Sequence, residues 1–563
     1  MLMDLYTAAG EQVGDTLWQV YPRPQMKRDS YLNLNGLWDF SCNYPTEHQK
    51  ILVPFCPESK LSSVGEHFPE GGMLTYRRMF TLPDGFNKGS VILHIGAADQ
   101  ETTVFLNKKK VCCHKGGYEA FCCDITAVLA EENELVITCV DNLYDQSLPY
   151  GKQVLPEKRG GMWYTPVSGI WQTVWLESVP ETYIEKLHIE NCGYSVKISI
   201  EPALSGTVTV AELGSFQLVD GSVTITPEEP RLWSPENPYL YDFTVQAGED
   251  RVESYFAIRS LEIKKIGAYQ RLCLNGKPYF FHGLLDQGYW PDGLFTPATP
   301  QCYCDDILMM KKLGFNTLRK HIKVEAEEFY YQCDKLGMIV FQDMVNNGDY
   351  QFFRDTALPT VGLQKLNDKK MHRDAATRKA FREGMSATVR QLKNHPCICY
   401  WTIFNEGWGQ FDSDAVYEEM KKLDDSRFID STSGWFRRKK SDVDSLHIYF
   451  GSWKKLKAGE KPLVLSEFGG YCYGVQEHLF NPDKAYGYKA CKSLENLNRD
   501  LQALYEEKVI PAAEKGLCAA VYTQVSDVED EINGLLTYDR KVCKADEKML
   551  RAIAQKLQRA VKT

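Results

Sequence analysis

Two glutamates in the C-terminal half of the chain each end a short apolar run. Glu406 follows residues 400–405 (YWTIFN), and Glu467 follows residues 462–466 (PLVLS). Both runs have the composition of buried strands, and glycine or aromatic residues come directly after each glutamate. Two carboxylates held at the ends of buried parallel strands are what hydrolysis of a glycosidic bond with retention of configuration requires. The pair therefore predicts a retaining glycosidase.

Retaining hydrolysis needs the two carboxyl groups about 5–5.5 Å apart, with one protonated and the other ionised. We expect Arg319 and the hydroxyl of Tyr449 to favour the ionised form of Glu467. Asn405 directly precedes the other glutamate, in a position from which its amide can bond the 2-hydroxyl of a sugar. An inverting hydrolase is the alternative, and it would hold its carboxyl groups about 6.5–9.5 Å apart.

From about residue 263 onward, strand-like apolar runs alternate with amphipathic helical stretches. We predict strands over residues 279–285, 316–319, 338–342, 398–404, 428–431, 445–449, 463–466 and 519–523. The helices predicted between them include residues 305–313, 325–336, 375–393, 413–423 and 494–514. Eight such units predict a (β/α)₈ TIM barrel. An open doubly wound sheet is the alternative, but no Gly-rich phosphate loop follows the first strand.

The reactive groups of such a barrel lie at the C-terminal ends of its strands. Every predicted strand end carries a polar or ionisable residue beside a buried run. In chain order these are Asp286 and Gln287; Arg319, Lys320 and His321; Gln342 and Asp343; Asn405 and Glu406; Asp430; His447 and Tyr449; Glu467; and Gln524. One polar strand end is common in any protein, whereas a ring of eight indicates a binding or catalytic site.

Aromatic residues near these strand ends are candidates for sugar binding. The C–H faces of a sugar pack on aromatic rings, while its hydroxyl groups form hydrogen bonds at the rim. The candidates are Trp290, Trp408 and Trp435 for stacking, with Asp286, Gln287 and Asp343 at the rim.

The N-terminal part of the chain has an all-β pattern. Short alternating runs such as residues 91–95 (VILHI) and 135–140 (LVITCV) recur between turn residues. We predict a β-sandwich jelly roll over residues 1–180. Residues 181–262 repeat the pattern on a smaller scale and predict an immunoglobulin-like β-sandwich. The barrel then occupies residues 263–563, and the lack of long linkers predicts that the three domains pack together.

Composition and charge argue against several classes of protein. Apolar residues make up 44% and charged residues 25% of the 563 residues, so the chain can bury a large core. The formal net charge of −10 argues against nucleic-acid binding. No apolar run reaches the roughly 20 residues that span a bilayer, and we find no secretory signal. The 18 cysteines fit free thiols in a reducing cytosol better than disulfides or zinc ligands, which predicts a cytoplasmic protein.

Motifs along nearly the whole chain resemble glycoside hydrolase family 2 and fall in that family's order. They are residues 34–40 (LNGLWDF), 168–172 (SGIWQ), 232–241 (LWSPENPYLY), 256–259 (FAIR), 274–278 (LNGKP), 394–396 (NHP), 404–406 (FNE) and 465–469 (LSEFG). The resemblance implies a retaining exo-β-glycosidase with Glu406 as acid/base and Glu467 as nucleophile. It also implies a carbohydrate or glycoconjugate substrate and no cofactor. A divalent or sodium ion near the site is compatible with the family, but no ligand cluster in the sequence requires a metal.

The chain departs from the family pattern at the ends of strands 2 and 8. Residues 319–323 (RKHIK) stand where the family often has Arg-Thr-Ser-His, and residues 521–527 (VYTQVSD) contain Gln524 but no tryptophan. The family's β-glucuronidases usually grip the substrate carboxylate with an Asn-x-Lys-Gly element, which has no clear match late in this barrel. Lys320 or Lys323 could pair with such a carboxylate instead. An ordinary salt bridge is the simpler interpretation of both lysines.

β-Galactosidase-like activity is our leading prediction for the substrate. A β-uronidase that acts on a glucuronide or galacturonide, or another β-glycosidase, is the alternative. A non-catalytic carbohydrate-binding protein of the same fold is disfavoured, because both glutamates are present together with Asn405, Tyr449 and Arg319. A homo-oligomer is compatible with the sequence.

Overall fold

The computed structural model describes residues 2–14, 17–42, 49–360, 363, 367–449 and 453–562. Its N-terminal part is an antiparallel β-sandwich around one apolar core. Side chains alternate between buried and partly buried along Asn133–Val140, so one face of that strand lies in the core. One sheet contains, in order, Leu32–Asn33, Val174–Val179, Ser90–Ile95 and Phe121–Asp124. The other contains Gln49–Val53, Gly36–Cys42, Met73–Phe80, Asn133–Val140, Glu101–Leu106 and Lys109–Lys115, and Gly169–Ile170 pairs with Ala98–Asp99.

A second, smaller sandwich has its own apolar core. Its sheets are Lys186–Cys192, Ser195–Glu201 and Ser222–Ile225, facing Gly214–Leu218, Gly206–Val210, Tyr241–Ala247 and Asp250–Phe256. A separate antiparallel sheet of Leu261–Ile266, Tyr269–Leu274 and Lys277–Pro278 follows. Arg271 in this sheet donates hydrogen bonds to the carbonyls of Ala513 and Leu517, at 2.8 and 3.1 Å. This sheet therefore lies at the N-terminal end of the last barrel strand, which begins at Leu517.

The C-terminal part contains eight parallel strands among the described residues. In chain order these are β1 (Phe281–Asp286), β2 (Thr317–Lys320), β3 (Ile339–Asp343), β4 (Ile398–Asn405), β5 (Phe428–Ser433), β6 (Asp444–Ile448), β7 (Leu463–Gly469) and β8 (Leu517–Thr523). Their hydrogen-bonded order is β5-β4-β3-β2-β1-β8-β7-β6. β5 and β6 lie side by side and are joined by side chains, with Ser433 Oγ 2.9 Å from His447 Nε2. The predicted fold class is therefore confirmed, because two sandwiches precede a nearly closed parallel barrel.

Helices cover the outside of the barrel. The longer ones are Gln301–Lys312, Glu327–Leu336, Ala375–Leu392, Ser413–Leu423, Leu494–Leu504, Ile510–Glu514 and Glu547–Ala560. Side chains of Asp374, Ser493 and Asp546 cap three of these helices by accepting a backbone N–H. The helix predicted over residues 494–514 is interrupted by a π-helical turn, Tyr505–Val509, and Glu547–Ala560 lies beyond the last predicted element. Shorter segments are Gly10–Gln12, Lys60–Ser62, Thr126–Val128, Pro156–Lys158, Phe353–Ala357, Leu358–Thr360, Asp368–Lys370 and Trp453–Lys455, with a strand pair Tyr471–Cys472 and Lys489–Ala490.

The second sandwich is fixed to the barrel at the segment that precedes β4. Asp334 is fully buried and accepts hydrogen bonds from the Tyr255 hydroxyl of the sandwich and the Cys397 N–H of the barrel, both at 2.7 Å. His395 Nδ1 lies 2.7 Å from the same carboxylate. Asn394 binds the backbone of the sandwich strand Lys186–Cys192. Residues 394–396 (NHP) therefore join two domains and set the position at which β4 begins.

The described residues contain no disulfide bond, and all 18 cysteines lie among them. Every described helix is too short or too polar to serve as a membrane span.

Removing the Asp334 carboxylate should destabilise the protein. Asp334→Ala would leave the Cys397 N–H buried without an acceptor and would remove the shorter of two contacts of the Tyr255 hydroxyl, which costs about 3 kcal/mol in the free energy of unfolding. Urea unfolding followed by tryptophan fluorescence measures this change. Asp305→Ala, at an exposed position of a barrel helix, is the control and should change stability by less than about 0.5 kcal/mol. Equal stabilities of the two variants would contradict the assigned role of Asp334.

Candidate active site

Glu406 and Glu467 come together at the C-terminal mouth of the barrel. Every residue of β4 is buried, and Glu406 directly follows this strand. Glu467 lies near the end of β7 and is 4% exposed. One oxygen from each carboxylate and one nitrogen of His447 all lie within 4.8 Å of one another. Two glutamates that are distant in sequence therefore form one site.

His447, near the end of β6, lies between the two carboxylates. Its Nδ1 is 2.8 Å from Oε1 of Glu406, and its Nε2 is 3.5 Å from Oε1 of Glu467. The same Nε2 lies 2.9 Å from the hydroxyl of Ser433 on β5. The ring therefore fixes the separation of the glutamates, and it attracts both carboxylates whenever it carries a proton.

Arg319, at the end of β2, connects four strands of the barrel. Its Nε donates to Asp343 Oδ1 at 2.9 Å, and its Nη2 donates to Asn405 Oδ1 at 2.9 Å. Its Nη1 donates to Glu467 Oε1 at 3.0 Å and to the carbonyl of Ser466 at 3.1 Å. Because the guanidinium is planar, these bonds fix the directions of β3, β4 and β7 side chains at once.

Tyr449 holds the second oxygen of Glu467. Its hydroxyl donates to Oε2 at 2.6 Å and lies 2.7 Å from the Thr523 hydroxyl. Its ring stacks on Tyr488, with centroids 3.7 Å apart. Burial raises the pKa of Glu467, but the positive charges of His447 and Arg319 outweigh burial and hold this pKa at about 2. Glu467 is therefore ionised across the physiological pH range, as the sequence led us to expect.

The backbone turns sharply at Glu406. This residue has a left-handed conformation with φ of 49°, and Gly407 follows with φ of 79°. A Cβ atom at Gly407 would lie 2.4 Å from the Phe436 ring, so only glycine fits. The Glu406 N–H donates to the carbonyl of Ser433 at 2.9 Å. The strained backbone is thus held by β5, and it keeps the carboxylate beside His447.

Buried donors near the carboxylates have no protein partner among the described residues. Arg319 occupies Oδ1 of Asn405, which leaves the Nδ2 of this amide unpartnered. The indole N–H groups of Trp408 and Trp435 are also buried and unpartnered, and the Trp435 ring lies 5.6 Å from the His447 ring. Buried polar groups normally find a partner. Donors left open in this way are suited to hydroxyl groups of a ligand.

His321 adds an acceptor to these donors. Its Nδ1 lies 2.7 Å from Oδ2 of Asp343. Burial and the nearby charge of Lys152 lower the pKa of His321 to about 4, so the ring is neutral near pH 7. Because a neutral imidazole donates from one nitrogen only, Nδ1 donates to Asp343 and Nε2 accepts.

The indole of Trp408 forms one side of the mouth together with the first sandwich. Its ring lies 5.3 Å from the ring of Trp163, which belongs to the N-terminal domain, and 5.6 Å from the ring of Tyr350. The centroid of the His321 ring lies 6.5 Å from that of Trp408. The aromatic surface is therefore built by two domains.

Lys320 and Lys323 form a buried ion-pair cluster. Lys320 donates to Asp286 at 2.6 Å and to Glu325 at 2.9 Å. Lys323 donates to Glu325 at 2.9 Å and to the carbonyls of Gly288 and Phe295 at 2.6 and 2.8 Å. Both lysines are 1% exposed. Both ammonium groups are ion-paired, which agrees with the simpler salt-bridge interpretation of the sequence.

Three other predicted residues lie near this cluster or on β8. Trp290 is buried with an Arg540 guanidinium 4.0 Å from its ring centroid. Gln287 is buried, and its Nε2 has no partner. Gln524 donates to Asn533 Oδ1 at 2.8 Å, which leaves its Oε1 without a partner.

The structure adds residues that the sequence analysis missed. Ser433, Tyr488 and Thr523 contact the central network, and Lys152 and Trp163 reach it from the N-terminal sandwich. Strand-end position was a usable signal for Ser433 and Thr523. Lys152 and Trp163 had none, because they lie more than a hundred residues before the barrel.

Glu406, His447 and Glu467 are also the set of acidic, histidine or cysteine ligands that could hold a metal ion among the described residues. Their mutual contacts and the bonds from Arg319 and Tyr449 already account for this clustering. The expectation that no cofactor is needed stays a prediction.

Two models of one protein family match the sequence. The model described as Glycosyl hydrolases family 2, TIM barrel domain, matches residues 265–555, which is more than half of the chain. The model described as Glycosyl hydrolases family 2 matches residues 181–259. The matched ranges coincide with the barrel and the second sandwich.

Two curated relatives and one solved structure are also similar. A β-galactosidase of Thermoanaerobacter pseudethanolicus is 26% identical over 501 residues, covering 80% of this chain and 60% of that protein. A β-glucuronidase of Bacteroides fragilis is 23% identical over 419 residues, covering 68% and 56%. The chain thus spans less than two thirds of these relatives' lengths. The structure of a β-D-glucuronidase from Dictyoglomus thermophilum aligns with a TM-score of 0.73 at 18% identity, over 95% of this chain and 98% of that one, which shows a common fold.

The low pKa of Glu467 predicts a pH-dependent contribution to stability. Folding moves this pKa from its ordinary value of 4.5 to about 2, which corresponds to about 3 kcal/mol. Because the pKa is lowered by folding, this stabilisation is complete above about pH 5 and is lost as the pH falls towards 2. The difference in urea midpoint between the wild type and Glu467→Gln should therefore shrink between about pH 5 and pH 3. The matched control is Glu460→Gln, at an exposed position. If the difference in urea midpoint between the wild type and Glu467→Gln did not change with pH, the low pKa assigned to Glu467 would be contradicted.

Proposed function

Because the chain belongs to glycosyl hydrolase family 2, we propose that it is a retaining exo-β-glycosidase. It removes a terminal, non-reducing β-linked sugar by double displacement through a covalent glycosyl-enzyme. The observation that carries this proposal is the pair Glu406 and Glu467, whose nearest oxygens lie within 4.8 Å of each other across His447. This separation suits direct attack by a carboxylate and is shorter than the about 6.5–9.5 Å of an inverting enzyme.

In the first step, ionised Glu467 attacks the anomeric carbon while Glu406 donates a proton to the leaving oxygen. The bonds from Arg319 and Tyr449 keep Glu467 ionised and fix its direction. The carbon–oxygen bond to the aglycone breaks, and the sugar is left bound to Glu467 as an ester. The Nδ2 of Asn405 is open to the 2-hydroxyl, a contact that strengthens as positive charge develops on the ring.

In the second step, Glu406 acts as a base. It accepts a proton from the water that attacks the anomeric carbon, and Glu467 leaves with the electron pair of the ester bond. Two inversions give net retention of configuration. A non-catalytic carbohydrate-binding role would not require the ionised, immobilised Glu467 or the strained backbone at Glu406.

For the sugar, we propose only a class of substrate. β-Galactosidase-like activity is the leading prediction from the sequence, and a β-uronidase is the alternative. The names of the relatives divide between the two, since one is a β-galactosidase and another a β-glucuronidase. The charges of Lys320 and Lys323 are already paired with Asp286 and Glu325. A cytoplasmic location stays our prediction, supported by cysteines that form no disulfide bonds.

The variants Glu467→Gln and Glu406→Gln test the two roles. Glu467→Gln should lower kcat by at least about 1,000-fold on every accepted glycoside, because the nucleophile is lost. Glu406→Gln should lower kcat/KM about 100-fold on alkyl glycosides but much less on dinitrophenyl glycosides, because kcat/KM reports the first step and a dinitrophenolate leaves without a proton. Kinetics on a panel of galactosides, glucosides, galacturonides, glucuronides and arabinosides provide the measurement. Full turnover by a folded Glu467→Gln protein would contradict the proposal.

The stereochemistry of the first product separates the two mechanisms independently. Proton NMR taken during early turnover should show the β-anomer of the released sugar first. An α-anomer at that stage would identify an inverting enzyme. Exposed Glu460→Gln serves as the control and should match the wild type in both measurements.

A further inference from the structure

Lys152 is a buried cation that the proposed mechanism does not use. It belongs to the loop between the sandwich strands Asn133–Val140 and Gly169–Ile170, and it is 7% exposed. Its Nζ lies 5.8 Å from the ring centroid of Trp408 at the barrel mouth and 5.5 Å from that of Tyr164. The side chain therefore extends from the first domain into the site of the third.

The backbone around Lys152 is anchored to the barrel. The Tyr150 N–H and Tyr150 hydroxyl donate to the carbonyls of Asn346 and Gly348, at 3.1 and 2.8 Å. Gly151 has φ of 68°, and a Cβ atom there would lie 3.1 Å from the carbonyl oxygen of Ile322. The carbonyl of Lys152 accepts from the Tyr164 N–H at 3.1 Å. The lysine is thus placed by a fixed loop.

The ammonium group of Lys152 has no acceptor among the described residues. It takes part in no hydrogen bond or ion pair there, and burial lowers its pKa against the pull of Glu531, Glu467 and Glu406. Both oxygens of Glu531 are engaged elsewhere, one by the Tyr164 hydroxyl and the other by Asn533 Nδ2 at 2.9 Å. The catalytic glutamates are thus near enough to act on Lys152 through their charge without pairing with it.

The other buried cations at this mouth are already paired with carboxylates among the described residues. Arg319 donates to Asp343, Asn405, Ser466 and Glu467. The lysine cluster on β2 donates to Asp286, Glu325 and two carbonyls. An anionic group on a ligand would therefore meet an uncompensated charge on Lys152, whereas the charges of these residues are already compensated by carboxylates.

We propose that Lys152 binds a carboxylate on the sugar ring of the substrate, and that the enzyme acts on β-linked uronides. This inference rests on the proposed function and narrows it to a substrate class. A sugar bound between Glu406 and Glu467 displaces the water that solvates Lys152, and an ammonium group without water needs an acceptor. An ionised carboxylate is the acceptor that best offsets the desolvation of the ammonium group. We assign the carboxylate to the sugar because Lys152 Nζ lies 5.8 Å from the ring centroid of Trp408, a residue that follows Glu406 closely and forms one side of the mouth.

Matched pairs of nitrophenyl substrates test the substrate class. β-Galacturonide is compared with β-galactoside, and β-glucuronide with β-glucoside, because each pair differs only at C6. For the wild type, kcat/KM should be at least about 100-fold higher for the uronide of one pair. A preference for the neutral sugar in both pairs would overturn the proposal and leave the glycosidase assignment intact.

Variants of Lys152 assign the preference to this residue. Lys152→Met should lower kcat/KM about 100-fold on the uronide but by less than about threefold on its neutral partner. Lys152→Arg, which keeps the charge, should retain part of the uronide activity. Lys115→Met removes an exposed lysine from the same domain and should leave both activities unchanged. An equal loss on both substrates in folded Lys152→Met would indicate a structural role and overturn the proposal.

Binding of the free sugars separates failure of this inference from failure of the proposed function. Titration calorimetry with galacturonate, glucuronate, galactose and glucose requires no turnover. Binding of a uronate to the wild type and its loss in Lys152→Met would support the carboxylate site even if no glycoside were hydrolysed. Equal affinity of the wild type and Lys152→Met for both uronates would overturn it.

Discussion

The guanidinium of Arg319 is the interaction on which the site depends. It is 1% exposed and forms hydrogen bonds to groups on β3, β4 and β7 from its own position on β2. A buried positive charge is costly unless it is paired, and here the ionised carboxylates of Glu467 and Asp343 compensate it. The same pairing lowers the pKa of Glu467. The chemistry and the packing of the barrel mouth therefore share one set of bonds.

The two glutamates occupy unequal surroundings as a result. Both oxygens of Glu467 accept hydrogen bonds, from Arg319 and Tyr449, and the residue lies within β7. Glu406 lies in a left-handed turn, and its carboxylate contacts His447. A carboxylate held on both oxygens is suited to attack along one direction, whereas one held at a single oxygen can approach a leaving group on the other.

Sequence reasoning reached the fold and the central pair because both leave local signals. The pattern and the length of the apolar runs identified β4 and β7. Parallel topology then requires the C-terminal ends of these strands to meet at one mouth of the barrel. Orientation of individual side chains carries no such signal. Lys320 and Lys323 adjoin Arg319 in the sequence but are directed into a separate cluster with Glu325. Trp163 and Lys152 were not predictable, because their approach depends on how the sandwich docks, and docking geometry is set by long-range contacts such as that of Tyr150 with Asn346.

The contact of Trp163 with Trp408 has a consequence for the order in which the protein becomes functional. Domains of a large chain generally fold as units, starting from the N-terminus during synthesis. The first sandwich, which carries Trp163 and Lys152, is therefore complete before β4 and β7 have left the ribosome. The loop that carries Lys152 and Trp163 contacts Trp408 only after the barrel has folded. Until then, one side of the barrel mouth is missing. The complete catalytic pocket therefore requires both domains to be folded and docked, so that turnover reports the docked state.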